Sequence, residues 1–273
     1  MGQGGRTAIA GVRWLDEIAA PSSETPEYVG PQVAERLGQL RQLPLRAGKI
    51  LSDCEGVIVD LGPGEGVSSM ALAQFAPKAQ VVGLEADLLH LLGAWPMCRK
   101  YENLRLGWGA VAGTLSNGNV NPGKEAVPTA ALGPAGCDVL FSWAGMSRID
   151  VYESSAAWAE SVGRACVLVL PEFWRRGVGS LPDAAQAALR DVCARAGARE
   201  PSWAGATALP GFSGFESWPT DQTLRARGWL LWLSGLFDGT SVSFLDTLRD
   251  RRAPEPRFQL EFELPLEVVV ATK

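Results

Sequence analysis

Apolar residues in this chain come in short, nearly continuous runs, separated by glycines and by stretches with helical spacing. Residues 56–61, 80–85, 104–106 and 166–170 are such runs, as is Cys137-Asp138-Val139-Leu140-Phe141-Ser142-Trp143. Runs of this length, apolar throughout and rich in β-branched residues, predict strands buried on both faces, as a parallel sheet requires. Between them lie helical segments at 66–76 and about 87–94, a helix carrying Trp158, and an alanine-rich stretch at 182–196 that ends at Gly197. Strand and helix in alternation predict an α/β fold with a doubly wound, Rossmann-like sheet. Toward the N-terminus, Ile9 to Ala20 predicts a short helix. A second helix begins near Ser23 to Pro26 and runs to Leu43, with Val33, Leu37 and Leu40 on one face and Pro44 ending it. Residues 112–136, rich in Gly, Asn and Pro, read as a long loop, and 198–219 also read as loop. Thr220 is a good N-cap for a helix to about Phe237 that is apolar on much of its circumference and should be buried. Core packing is the default for that helix, with a dimer face or a pocket roof as alternatives. Phe258 to Leu264 and Leu266 to Thr272 predict two strands joined at Pro265.

One segment carries more than architecture. Residues 57–66 read Val-Ile-Val-Asp-Leu-Gly-Pro-Gly-Glu-Gly, and the next strand ends in Glu85. A glycine loop between strand and helix lets backbone approach a ligand, and the helix start points free N–H groups at the same place. An acid at the end of the second strand can accept hydrogen bonds from both hydroxyls of a ribose. The glycines fall at Gly62, Gly64 and Gly66, with Val67 where a dinucleotide fingerprint has its third glycine, which weakens an NAD reading. No Lys-Ser/Thr follows, which excludes a phosphate-loop NTPase. The plain alternative is a tight strand–helix turn followed by a solvated Glu; loop and acid occurring together favour the ligand site.

Asp-Leu-Gly-Pro-Gly-Glu-Gly, with Gly-Leu-Glu on the next strand, resembles the class I S-adenosylmethionine-dependent methyltransferases of small-molecule type over roughly residues 54–170. The resemblance implies a seven-stranded sheet, mostly parallel with a closing antiparallel strand, plus a helical N-terminal lid and an aromatic-rich C-terminal insertion. It divides the chain into a lid segment at 1–50 and a methyltransferase domain at 51–273. Within that domain the cofactor half is 51–170, the substrate-side helices and loops are 171–250, and the closing strands are 256–272. It implies S-adenosylmethionine as cofactor, with S-adenosylhomocysteine as product. Carried over by position, Asp60, Gly62, Pro63, Gly64 and Gly66 form the loop under the methionine part, and Glu85 and Ala86 meet the ribose end. Tyr28 and Trp14 are the candidate lid aromatics, with packing on the core as the equal alternative, and Ser142 lies at the end of the fourth strand. Family members often carry an acid after the third strand for the adenine amino group. This chain reads Leu106-Gly107-Trp108-Gly109-Ala110-Val111 there, so Ala110 and Val111 would serve through backbone and apolar contact.

Composition narrows the partners. The net charge is −5 and no basic run is present, which argues against nucleic acid. The longest apolar stretch, Gly228 to Phe237, is too short to span a bilayer. Five scattered cysteines without a C-x-x-C pair fit reduced thiols in a cytoplasmic protein, and with no basic region followed by an apolar run near residue 1, no signal peptide is expected. His90 stands alone, so no metal site is expected. Seven of the ten tryptophans lie from position 138 onward. Flat apolar walls in that half favour a small, apolar or aromatic metabolite as substrate. A homo-oligomer is left open.

Methyl transfer from a sulfonium is a direct displacement in which alignment matters most. A general base is needed only where the nucleophile holds a proton of high pKa. Glu172 is the first candidate for base or substrate orienter, with a solvated turn residue as the equal alternative; Asp150 is the second carboxylate. Trp143 at the end of the fourth strand is a candidate to touch the transferring methyl. Trp14, Trp143, Glu172 and Trp174 are the candidate substrate-binding residues. His90 reads as a surface or packing residue, and Asp138, at the far end of its strand, as structural. Two other functions stay open: an enzyme of the same fold that binds the cofactor but catalyses cyclisation or rearrangement, and a non-catalytic partner that binds through the 220–237 helix.

Overall fold

The computed structural model describes residues 9–18, 29–86, 88–111, 129–143, 151–176, 179, 183, 186–187, 207–226 and 262–273. Five parallel strands form its centre: β2 (Val57–Leu61), β3 (Gln80–Glu85), β4 (Leu104–Trp108), β7 (Cys137–Trp143) and β8 (Val162–Pro171). They are buried almost end to end because helices cover both faces, which is why their sequences are apolar without alternation. α4 (Val67–Phe75) joins β2 to β3, α5 (Leu88–Cys98) joins β3 to β4, and α6 (Val151–Ser161) joins β7 to β8. The order across the sheet places β2 beside β7, so the winding reverses between these two strands. In such a sheet a crevice opens at that reversal, beyond the carboxyl ends of the strands.

The sheet has eight strands among the described residues, where the sequence predicts seven. At one edge β1 (Arg13–Trp14) pairs antiparallel with β4 and runs into the single turn α1 (Leu15–Ile18), where a helix over Ile9 to Ala20 was expected. The pairing is held by Arg105, whose guanidinium donates to both carboxylate oxygens of Asp16 and lies 4.1 Å from the Trp14 ring centre. At the other edge β10 (Phe262–Thr272) is one strand running through Pro265 rather than two joined there. It lies antiparallel to β8 on one side and to β9 (Gly214–Ala226) on the other, with an irregular register between Pro265 and Glu267.

β9 corrects the helix expected from Thr220 to Phe237, since residues 220–226 are extended; 227–237 lie outside the described residues. Thr220 is no helix cap. Its hydroxyl donates to the carbonyl of Leu266 and accepts the N–H of Gln222, bridging the irregular stretch. Pro219, which lacks an N–H, is tolerated because β9 is paired on one side only among the described residues. A pairing partner 36–42 residues away overrides the local helical signal.

The N-terminal helix is present as α2 (Val29–Arg41). Pro44 does end it, but the same proline also starts α3 (Leu45–Ser52), a helix the sequence reading missed; proline suits a first turn because no N–H is required there. Val33 and Leu40 of α2, Ala47 and Leu51 of α3, and Met70 and Leu72 of α4 pack with Ile58, Phe141, Val167, Val268 and Val270 into one core on this face of the sheet. The chain's alanine-rich 182–196 segment lies almost wholly outside the described residues. Among the described residues no helix is long and apolar enough to cross a membrane.

Candidate functional site

β2 ends in Asp60-Leu61 and the chain then turns through Gly62, Pro63, Gly64, Glu65 and Gly66 into α4. Gly62, Gly64 and Gly66 have φ of 66°, 56° and 75°, a left-handed conformation that disfavours any side chain, so the spacing of the three glycines is a backbone requirement. The loop is fastened at both sides. Gly62 N–H donates to the Leu84 carbonyl at 2.9 Å, and Ser142 Oγ donates to the Leu61 carbonyl at 2.8 Å. Gly83 on β3 lets the loop and α4 settle onto the sheet: a Cβ there would lie 2.5 Å from Ser69 Oγ and 3.2 Å from Pro63 Cγ.

Glu85 ends β3 and its carboxylate accepts the N–H of Gly64 at 2.8 Å. Loop and acid are therefore one unit, with a backbone donor and a carboxylate side by side at the crevice. A diol suits such a carboxylate, since each hydroxyl can donate to one of its oxygens. Gly64 has open space where a Cβ would stand, so the loop can meet a ligand at that point. Next to Glu85, the Ala86 carbonyl accepts the Trp108 indole N–H at 2.9 Å, and Gly109 N–H donates to the Glu85 carbonyl at 3.0 Å. Trp108, which the sequence reading passed over, thus fixes the turn after β3 at the end where an acid was lacking.

Asp60 is fully buried. Its Oδ2 accepts from Ser68 Oγ at 2.7 Å and Ser69 Oγ at 2.6 Å, while Oδ1 has no hydrogen-bond partner. Burial pushes its pKa up to about 6, against the pull of both serines and of Arg36. In an unfolded chain an aspartate titrates near about 3.9. Between these values the folded protein keeps a proton that the unfolded chain has lost, so stability from this group falls as pH rises from about 4 to about 6. The loss is about 3 kcal/mol for a shift of this size. Asp60→Asn should therefore remove that downward contribution, and wild type and variant should diverge in urea midpoint across this window. Parallel curves would refute the assignment.

α2 lies over the end of β7. Arg36 reaches from it to the Trp143 ring, 4.2 Å from the ring centre. Burial lowers the Arg36 guanidinium to about 10, with Asp60 and Glu35 raising it. The face of Trp143 expected to line a substrate pocket is thus covered by a cation.

Glu172 follows β8 at the same rim. Its N–H donates to the Pro265 carbonyl at 2.9 Å, and its carboxylate is 3.5 Å from Arg176 on α7 (Phe173–Arg176). The neighbouring Arg175 makes a two-pronged contact with Glu267 of β10, with Nε 2.9 Å and Nη2 2.7 Å from Oε2. Glu267 is fully buried; burial pushes its carboxyl up and Arg175 holds it down. Glu172 so belongs to a four-residue charge cluster that ties α7 to the last strand.

The remaining expected residues are dispersed. Trp14 stands opposite Gly107 at the outer edge of the sheet, four strands from Trp143, or roughly 19 Å at the usual strand spacing. His90 is exposed, and Asp138 accepts the Val57 N–H at 2.8 Å at the opposite end of the sheet. Ala110 and Val111 form β5, paired with β6 (Thr129–Ala130), but their side chains lie outside the described residues, as do the Trp174 side chain, Tyr28 and Asp150. Cys54, Cys98, Cys137 and Cys166 are buried free thiols, and burial pushes Cys98 and Cys137 up to about 12, which makes them unreactive. Among the described residues no group of three or more His, Cys, Asp or Glu could hold a metal ion.

No family model and no curated protein matches the chain. Solved structures align along most of it at low identity. The YcgJ protein of Bacillus subtilis is 12% identical over 88% of this chain and 98% of its own, with a TM-score of 0.46. Phosphoethanolamine N-methyltransferase 2 of Haemonchus contortus, solved with phosphomonomethylethanolamine and S-adenosylhomocysteine, is 12% identical over 88% of this chain, with a TM-score of 0.45. The alignment covers 52% of that protein, so this chain spans about half its length. Geranyl diphosphate C-methyltransferase of Streptomyces coelicolor, solved with Mg2+, geranyl diphosphate and S-adenosylhomocysteine, is 13% identical over 96% of this chain and 91% of its own, with a TM-score of 0.39.

Proposed function

We propose that this protein binds S-adenosylmethionine and transfers its methyl group to a small molecule. The observation that carries the reading is the unit formed by the glycine loop and Glu85, joined by the 2.8 Å bond from Gly64 N–H at the reversal of the sheet. The bound cofactor supplies a methyl group already activated by a positively charged sulfur. The chain's own residues bind and orient. Glu85 takes the ribose hydroxyls, and the loop from Gly62 to Gly66 lies against the amino-acid portion. Ser142 acts through the Leu61 carbonyl to hold that loop in place.

The acceptor enters from the rim of β7 and β8. Net charge and the lack of a basic run favour a small molecule over nucleic acid. Glu172, with Arg176 beside it, serves to orient the acceptor or to hold α7. This suits an acceptor atom that is nucleophilic without losing a proton to the enzyme. The non-catalytic alternative through an apolar helix is weakened, because the first third of that segment is strand.

Thermal denaturation tests the reading. S-adenosylhomocysteine at a hundred times its dissociation constant should stabilise by about 2.7 kcal/mol. For a chain of this size that raises the melting temperature by roughly 5–10 °C. A rise with NAD and none with S-adenosylhomocysteine would overturn the assignment. Where binding holds, transfer of label from methyl-labelled cofactor separates methylation from rearrangement.

A further inference from the structure

Asp60 stands two residues before Gly62, at the foot of the glycine loop, and is fully buried. Its two oxygens are not equivalent. Oδ2 accepts from Ser68 Oγ and Ser69 Oγ, both in the first turn of α4, so its lone pairs are engaged. Oδ1 is shielded from solvent and has no partner. A negative charge is costly on a buried carboxylate that is only half satisfied. Two charged side chains act on it from neighbouring elements: Arg36 of α2 favours the anion and Glu85 of β3 opposes it. Arg36 in turn feels Glu35 on its own helix. Beside Asp60 in the sheet stand Gly83 of β3 and Phe141 of β7, which carry no charge. The proton therefore belongs on Oδ1, because Oδ2 is committed to two donors, and burial and the arginine hold its occupancy near balance. Charge brought to the loop tips such a balance.

We propose that Asp60 is the residue that tells the charged cofactor from the spent product, releasing its proton to solvent when the sulfonium is bound and taking one back once the methyl has left. The inference rests on the S-adenosylmethionine reading above and goes beyond it. Glu85 and the loop meet the ribose and the amino-acid portion, which both molecules share. Only the methyl and the positive charge on sulfur differ. With the ribose at Glu85 and the amino-acid portion along the loop, the sulfur that joins them falls at the carboxyl end of β2, where Asp60 stands. The carboxylate acts through space and touches no reacting atom, so it determines specificity and is not a catalytic residue. Near neutral pH it is ionised and favours the cation. Once it is protonated at lower pH, that preference is lost and the product binds as well as the cofactor.

The test is calorimetric titration with S-adenosylmethionine and S-adenosylhomocysteine across about pH 5 to about pH 7.5. Affinity of wild type for S-adenosylmethionine should rise about five- to tenfold over this range, the effect of lowering one carboxyl by about one unit, and that for S-adenosylhomocysteine should stay within about twofold. Titrations at about pH 6 in buffers of different ionisation enthalpy should show proton release with S-adenosylmethionine and almost none with S-adenosylhomocysteine. Asp60→Asn, neutral at every pH, should abolish the rise. Ser69→Ala removes one donor from Oδ2 and pushes the carboxyl higher, so the rise should move to higher pH. That variant keeps the test in place should Asp60→Asn fail to fold. A pH dependence equal for both ligands, one that survives Asp60→Asn, or none at all in wild type would each overturn the proposal. If wild type binds neither ligand at any pH, the cofactor reading itself falls and takes this inference with it.

Discussion

Glu85→Ala should weaken binding of S-adenosylhomocysteine by about a hundredfold. The carboxylate sits at the end of β3, directly beside the Gly64 N–H that it accepts at 2.8 Å. Hydrogen bonds to a charged group contribute about 1.5–3 kcal/mol each, and a ribose offers two, which are not additive. A net loss of about 3 kcal/mol corresponds to roughly a hundredfold in affinity. Glu85→Gln keeps an acceptor and loses the charge, so its loss should be nearer tenfold. The fold should tolerate both changes, because Gly64 is partly exposed and its N–H can turn to water. An unchanged dissociation constant in Glu85→Ala, with normal melting, would remove the ribose assignment and with it the central support for the proposed cofactor.

The second large effect concerns stability. Arg175→Ala should destabilise the protein by about 3–5 kcal/mol, the usual cost of leaving one half of a buried ion pair alone. Glu267 is wholly buried within an otherwise apolar strand, Leu266 to Ala271, and Arg175 is the partner that meets its carboxylate with two nitrogens. Without the arginine, burial pushes the Glu267 carboxyl further above its ordinary value, and uptake of a proton recovers part of the loss at acid pH. The double variant Arg175→Leu with Glu267→Leu should restore most of the stability, since apolar replacement of a whole buried pair is often neutral or favourable. Urea denaturation of both single variants and the double variant measures the coupling. Additive losses would show that the pair does not act as a unit.

What was legible in the sequence was what is local. β2, β3 and β7 are continuous apolar runs, and the structure gives them the expected limits within a residue, because a strand buried on both faces must be apolar throughout. The glycine loop was legible because three left-handed positions demand three glycines. β1 and β9 were not, because a two-residue strand carries no periodicity and β9 is defined by pairing with residues 262–272 rather than by its own composition. Trp143 is a candidate substrate contact by its place at the end of its strand, and the structure adds the Arg36 guanidinium 4.2 Å from its ring centre. A signal for Arg36 was present in the spacing of Val33, Leu37 and Leu40, but an arginine in an amphipathic helix is ordinarily read as a solvated residue. Ser142 lay at the expected height on its strand, yet its hydroxyl bonds to the Leu61 carbonyl. Strand position alone does not tell a residue that supports a loop from one that meets a ligand.

The contact between Gln222 and the Gln39 carbonyl spans 183 residues, and the ion pair between Arg46 and Glu216 is similarly long. Both fasten α2 and α3 to an edge strand encoded late in the chain. On the ribosome, α2 and α3 emerge first and wait for β9, which at typical elongation rates is a delay of roughly 10–40 s. Contacts so distant in sequence also slow refolding, because loop closure precedes any gain from pairing. The anchoring of α2 and α3 on β9 is therefore among the last features of the molecule to mature, and a nascent chain stalled before β9 would have its glycine turn in hand while both helices still lacked that anchor.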